Sequence, residues 1–206
     1  MASRLAIYQG ALRLLGPSEL SSLTEDIVVK RKLDSAWGPS VDFMLEQGLW
    51  NFAIRSVALQ PDEDVQPLFG FDYAYSKPDD WVRTASISPY VDYREGIREF
   101  EDQTGYWYTS HTPIYVQYVS NDPAYGWNVG AWRQSFSKAL ETYLAFECGL
   151  PISSDKGNRN DLYTLFEQRL QNAKTKDAVD ERVREKPPGK WTRSRNTGYR
   201  GERWRG

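Results

Sequence analysis

The densest chemistry in this chain lies at its C-terminus. Between Lys186 and Gly206, seven basic residues (Lys186, Lys190, Arg193, Arg195, Arg200, Arg203 and Arg205) face a single acid, Glu202, with Trp191, Tyr199 and Trp204 spaced among them. The segment carries +6 and the other 185 residues −8, although the chain as a whole is only −2. Guanidinium groups pair with carboxylates or phosphates, and the aromatic rings between them either stack on bases or fill pockets. Two partner chemistries fit. One is a nucleic-acid backbone, which the Arg-Gly steps at Arg200-Gly201 and Arg205-Gly206 suit; the other is an acidic groove on a protein.

Catalytic chemistry is thinly represented. Glu99 and Glu101 are expected to share a strand face, while Asp79 and Asp80 occupy a loop; two carboxylates at a suitable separation are all that a glycosidase needs, so polysaccharide hydrolysis is the one enzymatic reading available. Carboxylate pairs are also ordinary on solvated turns, and nothing in the sequence signals a raised pKa. No nucleotide-binding glycine loop, nucleophile elbow or H-E-x-x-H pattern occurs. The lone His111, between two predicted strands, and the lone Cys148, on an apolar helix end, read as structural residues. Together they leave no zinc constellation and no internal disulfide, and no cofactor is expected. The reading is of a protein that is not an enzyme.

These residues need elements to position them. The stretch Ser22 to Ala53 reads as one long helix opening on a capping box, Ser22 with Glu25, and striped by Val29, Leu33, Ala36 and Phe43 beside Trp37, Val41, Met44 and Leu45. Gly38-Pro39 predicts a kink within it. A first helix is expected over Ser3 to Leu15, closed by Gly16-Pro17 and packed antiparallel on the long one. Its apolar residues are interrupted by Arg4, Gln9 and Arg13, so it lacks the run of a signal peptide or membrane span, and a cytoplasmic site of folding is expected.

From Ile54 to Asn128 the period changes to two. Strands are expected at 54–59, 69–75, 81–87, 96–101, 106–110 and 114–119, forming an antiparallel sheet. Helical spacing returns with Trp132, Phe136, Ala139, Tyr143 and Phe146, stopped by Gly149-Leu150-Pro151, and again with Leu162, Leu165, Phe166, Leu170 and Ala173. The expected fold is α+β: an antiparallel four-helix bundle (1–53 and 129–185), an inserted antiparallel β-sheet domain between helices two and three (54–128), and an extended basic tail (186–206). Aromatics at 14 per cent, with eight Trp and thirteen Tyr, suit a chain that buries surface against partners.

Four segments in this order carry a family resemblance: Leu49-Trp50-Asn51-Phe52-Ala53; Tyr73-Ala74-Tyr75-Ser76-Lys77-Pro78-Asp79-Asp80-Trp81-Val82-Arg83; Ile114-Tyr115-Val116-Gln117-Tyr118-Val119; and the helix with Phe136, Ala139, Leu140, Leu144 and Ala145 ending near Leu150-Pro151. Over about residues 3 to 175 the chain resembles the tail tubular protein A family, the head-to-tail adaptors of short-tailed bacteriophages. It departs from the family pattern at Trp81, where a cysteine is expected, and at Gly38-Pro39.

The resemblance implies a structural virion protein assembled in the host cytoplasm. It implies a homo-oligomeric ring of twelve subunits, docked between the portal protein and the tail nozzle protein, through which double-stranded DNA is ejected, with no membrane partner. Trp191, Arg193, Arg195, Tyr199, Arg200, Arg203, Trp204 and Arg205 then become the candidate partner-binding residues. An acidic body would keep passing phosphates from adhering.

Overall fold

The computed structural model describes residues 2–16, 20, 22–24, 28–93, 95–153 and 158–180. It is α+β, with four helices among the described residues and two small antiparallel three-stranded sheets.

Helix α1 (Arg4–Leu15) begins where Ser3 accepts a hydrogen bond from the Ala6 amide and ends at Gly16, whose φ of 83° needs a residue without a side chain. Helix α2 (Val28–Glu46) is shorter at both ends than the periodicity predicts. At its start, the Ser22 hydroxyl accepts from the Thr24 amide in a local turn, which competes with capping; Glu25, the other half of the expected box, lies outside the described residues. At its far end the helix stops at Glu46, and Asn51–Ala53 forms a separate 3₁₀ turn. Pro39 is accommodated inside one continuous helix.

Helix α3 (Gln134–Ser153) packs against α1, α2 and α4 (Asn158–Val179), and is the element the other three share. The expected stop at Gly149-Leu150-Pro151 is overrun by the last turn, where a proline removes only one N–H near a helix end. The direct α1–α2 pairing is also weaker than expected. Their backbones approach α3 more closely than each other, and they meet through side chains: Tyr8 stands edge-on to Trp37, and Arg4 and Tyr8 both donate to Asp34. Gly10 lets α1 come close to α3, since any Cβ there would overlap the buried Glu141 carboxyl.

All six strands lie between α2 and α3: β1 (Ile54–Leu59), β2 (Tyr73–Ser76), β3 (Trp81–Ser88), β4 (Glu101–Gln103), β5 (Tyr106–Thr109) and β6 (Ile114–Ser120). They form two sheets where one was expected, in the orders β1-β6-β3 and β2-β5-β4. The 69–75 strand is real only from Tyr73, because Phe69 and Gly70 take positive φ in a turn. The 96–101 stretch is not a strand; pairing begins at Glu101, so Glu99 and Glu101 share no strand face.

Two apolar cores result. The larger joins all four helices and takes in Trp50, Trp132, Phe136 and Val119; the smaller lies in the β region around Tyr75, Ile87, Trp107, Val116 and Tyr118.

Candidate functional site

The partner-binding residues predicted from the sequence, Trp191, Arg193, Arg195, Tyr199, Arg200, Arg203, Trp204 and Arg205, lie outside the described residues. What the structure brings together instead is a polar knot where the β region meets the helices. Asp80, just before β3, accepts from Arg55 on β1 at 2.8 Å, from the Tyr118 hydroxyl on β6 at 3.0 Å, and from the Ser120 hydroxyl. Burial alone would push this carboxyl up, but the hydrogen bonds from Ser120, Arg55 and Tyr118 outweigh it and hold Asp80 below the usual carboxylate range. Burial and the neighbouring Asp80 charge push the Tyr118 phenol far upward.

Beside the knot, Lys77 is held between rings. Its ammonium sits 3.6 Å from the Trp81 ring centre and 5.4 Å from that of Trp107, and pairs with Asp102 at 2.5 Å. Both indole N–H groups point at Thr84: Trp81 donates to its hydroxyl at 3.1 Å and Trp107 at 3.0 Å, while Thr84 donates to Asp102. Lys77 precedes β3, Trp81 and Thr84 lie on it, and Asp102 and Trp107 come from β4 and β5, so this cluster ties the two sheets together. Arg83 adds a link to the helices by donating to the Glu46 carbonyl at the end of α2.

The hydrolase pairing is not assembled. Asp80 is ionised and already engaged by three donors, whereas a general acid needs a raised pKa; Asp79, Glu99 and Glu101 are exposed. His111 is exposed, and its backbone carbonyl accepts from Tyr75 at 2.7 Å. Cys148 is buried, its thiol directed at the Lys32 carbonyl, and burial pushes it up to about 11. Among the described residues no group of three His, Cys, Asp or Glu side chains could hold a metal ion, and no helix is long and apolar enough to cross a membrane.

In the sequence Asp80 reads as part of an ordinary turn, which does not by itself disclose this role. Its partners lie 25, 38 and 40 residues away, and only the sheet register brings them within reach. The Lys77-Pro78-Asp79-Asp80-Trp81 run was the available signal, as a charged turn entering a strand that begins with Trp.

Compared with known proteins, the chain matches no family model, and no curated protein is similar enough to count as a relative.

Proposed function

We propose that this chain is a structural, non-catalytic head-to-tail adaptor of a bacteriophage virion, forming a ring between portal and tail nozzle through which DNA leaves. The observation that carries the reading is how its resembling segments use their polar groups. Trp50, Lys77, Asp80 and Tyr118, all within those segments, direct those groups at neighbouring elements of the same chain. Such residues fix the relative position of helices and sheets, which is what a repeating ring subunit requires. In this reading the four helices form an antiparallel bundle, the β region is an insertion in it, and the body packs side by side with eleven copies.

The segment from Lys186 to Gly206 then reaches the portal. Arg193, Arg195, Arg200, Arg203 and Arg205 pair with acids there, and Trp191, Tyr199 and Trp204 fill pockets. Its charge and ring content would also suit a nucleic acid, so DNA binding is the competing reading.

Mixing the purified protein with portal rings and imaging the product tests the proposal. A twelve-fold ring seated on the portal is expected, and truncation after Lys186 should leave a folded chain that no longer docks. Salt-sensitive DNA binding through the tail, with no portal complex, would favour the competing reading and overturn this one.

A further inference from the structure

Strand β1 leaves the helices at Ile54 and β6 returns to them at Ser120. The connections after β1, β3 and β5 (60–72, 89–100 and 110–113) therefore emerge at the end of the β region away from the helices. They carry seven carboxylates against two arginines. They also hold apolar side chains in water: Phe69 is 62% exposed, Val91 71% and Leu68 48%.

These features are contiguous. Phe69 stands edge-on to Tyr108, the Asp72 amide donates to the Ser110 hydroxyl, and the Thr109 hydroxyl donates to the Glu99 carbonyl. An open hollow of about 370 Å³ continues the surface, lined by Tyr90, Glu95, Ile97, Glu99 and His111 together with one cation, Arg98. Phe69 keeps its ring exposed while its backbone sits at a φ of 59°, a region that a bulky side chain enters only at a cost.

We propose that this acidic, partly apolar end is a docking site for the chain's own C-terminal segment, Lys186–Gly206. The segment is complementary in both respects, with arginines for Asp72, Glu95 and Glu99 and rings for the hollow and the Phe69 edge. It also reaches. The described chain ends at Asp180, beside the start of β1, since Asp177 accepts from the Asn51 amide and Asp180 pairs with Arg133. A strand the length of β3 spans roughly 25 Å, while the 26 residues after Asp180 can extend to about 85 Å. Tethering gives the segment an effective concentration near the millimolar range, well above that of a neighbouring copy in dilute solution. Under the adaptor reading, portal and β end compete for one segment, so a free subunit keeps its tail covered until a portal is present. The docking itself does not depend on that reading.

Limited trypsin digestion of the full-length chain tests it, with cleavage after Arg193 and Arg195 as the readout. At about 0.05 M salt these bonds should be protected, and Glu95→Lys with Glu99→Lys, or Phe69→Asn, should speed their cleavage about fivefold or more without lowering the melting temperature. Adding Arg203→Glu and Arg205→Glu to the Glu95→Lys, Glu99→Lys chain should restore protection. Equal cleavage in all variants overturns the proposal. Protection that rises with protein concentration also overturns it, since the occupant is then a second copy's tail. Portal binding, measured separately on the same variants, distinguishes failure of the docking from failure of the adaptor reading.

Discussion

Trp50 turns back on the helix it has just left. Its indole N–H donates to the Met44 carbonyl at 2.7 Å, with both groups buried. The last carbonyls of any helix lack partners within it, so this bond closes the C-terminal end of α2. It also accounts for the helix stopping at Glu46, because a helical path through residue 50 would carry the indole away from Met44. The ring then meets Phe136 on α3 edge-on at 4.9 Å, and Phe52 meets the same ring at 4.9 Å. The Trp-Asn-Phe-Ala end thus anchors the turn from helix to strand.

Trp50→Phe keeps the ring packing and removes the donor. The Met44 carbonyl retains only the longer bond from the Gln47 amide, at 3.3 Å, so a loss of about 1–2 kcal/mol is expected. Trp50→Ala also opens a cavity beside Phe136 and should cost about 3–5 kcal/mol. Urea denaturation checks both: a Trp50→Phe loss near zero would mean that the hydrogen bond contributes nothing, and equal losses for the two variants would mean that the ring packing contributes nothing.

Asp80→Asn should destabilise by about 1–2 kcal/mol at neutral pH, because the part-buried Arg55 loses its counter-charge. The acid limb follows from the sign of the shift. Asp80 is held below its ordinary 3.8, so its contribution is complete above that value and fades as pH falls through it toward the folded pKa. Asp34 behaves alike: burial would raise it, but hydrogen bonds from Lys30 and Tyr8 and the Arg4 charge prevail. Stability should therefore hold from about pH 6 down to about pH 4 and fall as pH drops through 3.8 toward about pH 2, steeply in the parent chain and less steeply in Asp80→Asn.

How legible this was depended on the range of the interaction. Period-two alternation located β1, β3, β5 and β6 to within a residue or so, because a half-buried strand displays its facing in its own sequence. Ser3 and Gly16 marked α1 for the same local reason. The division into two sheets was not visible, since it depends on β5 pairing with β2 and β4 while β6 takes β1 and β3. Asp80 was equally hidden: its turn is local, but its three donors arrive from two other strands. At Ser22 the hydroxyl serves a local turn to Thr24, and Glu25, the other half of the expected box, lies outside the described residues.

Gly126 should tolerate no side chain. A Cβ there would overlap the Ser120 carbonyl oxygen and crowd Leu45, and the Gly126 amide already donates to that same carbonyl at 3.1 Å. The Gly126 carbonyl accepts from the Trp132 indole at 2.8 Å, so backbone movement would break a second buried bond. Gly126→Ala is expected to cost about 2–4 kcal/mol, read by thermal or urea unfolding. A loss within about 0.5 kcal/mol would mean that the loop from β6 to α3 yields freely.

Cys148 offers a probe of the helical core from within. Its thiol is 3% exposed, lies beside the Lys32 carbonyl, and is pushed by burial from 9.0 to about 11. The thiolate is the reactive form, so at pH 8 a thiol pushed up to about 11 has its thiolate population cut by about a hundredfold, before any steric exclusion of reagent. Alkylation of the folded chain by iodoacetamide should therefore be at least about a hundredfold slower than in urea, with one thiol modified per chain on unfolding. Because Cys148 sits on α3, the helix that α1, α2 and α4 share, labelling should track opening of that whole contact and accelerate in Trp50→Ala. Labelling of the native chain at the unfolded rate would place Cys148 at an accessible surface.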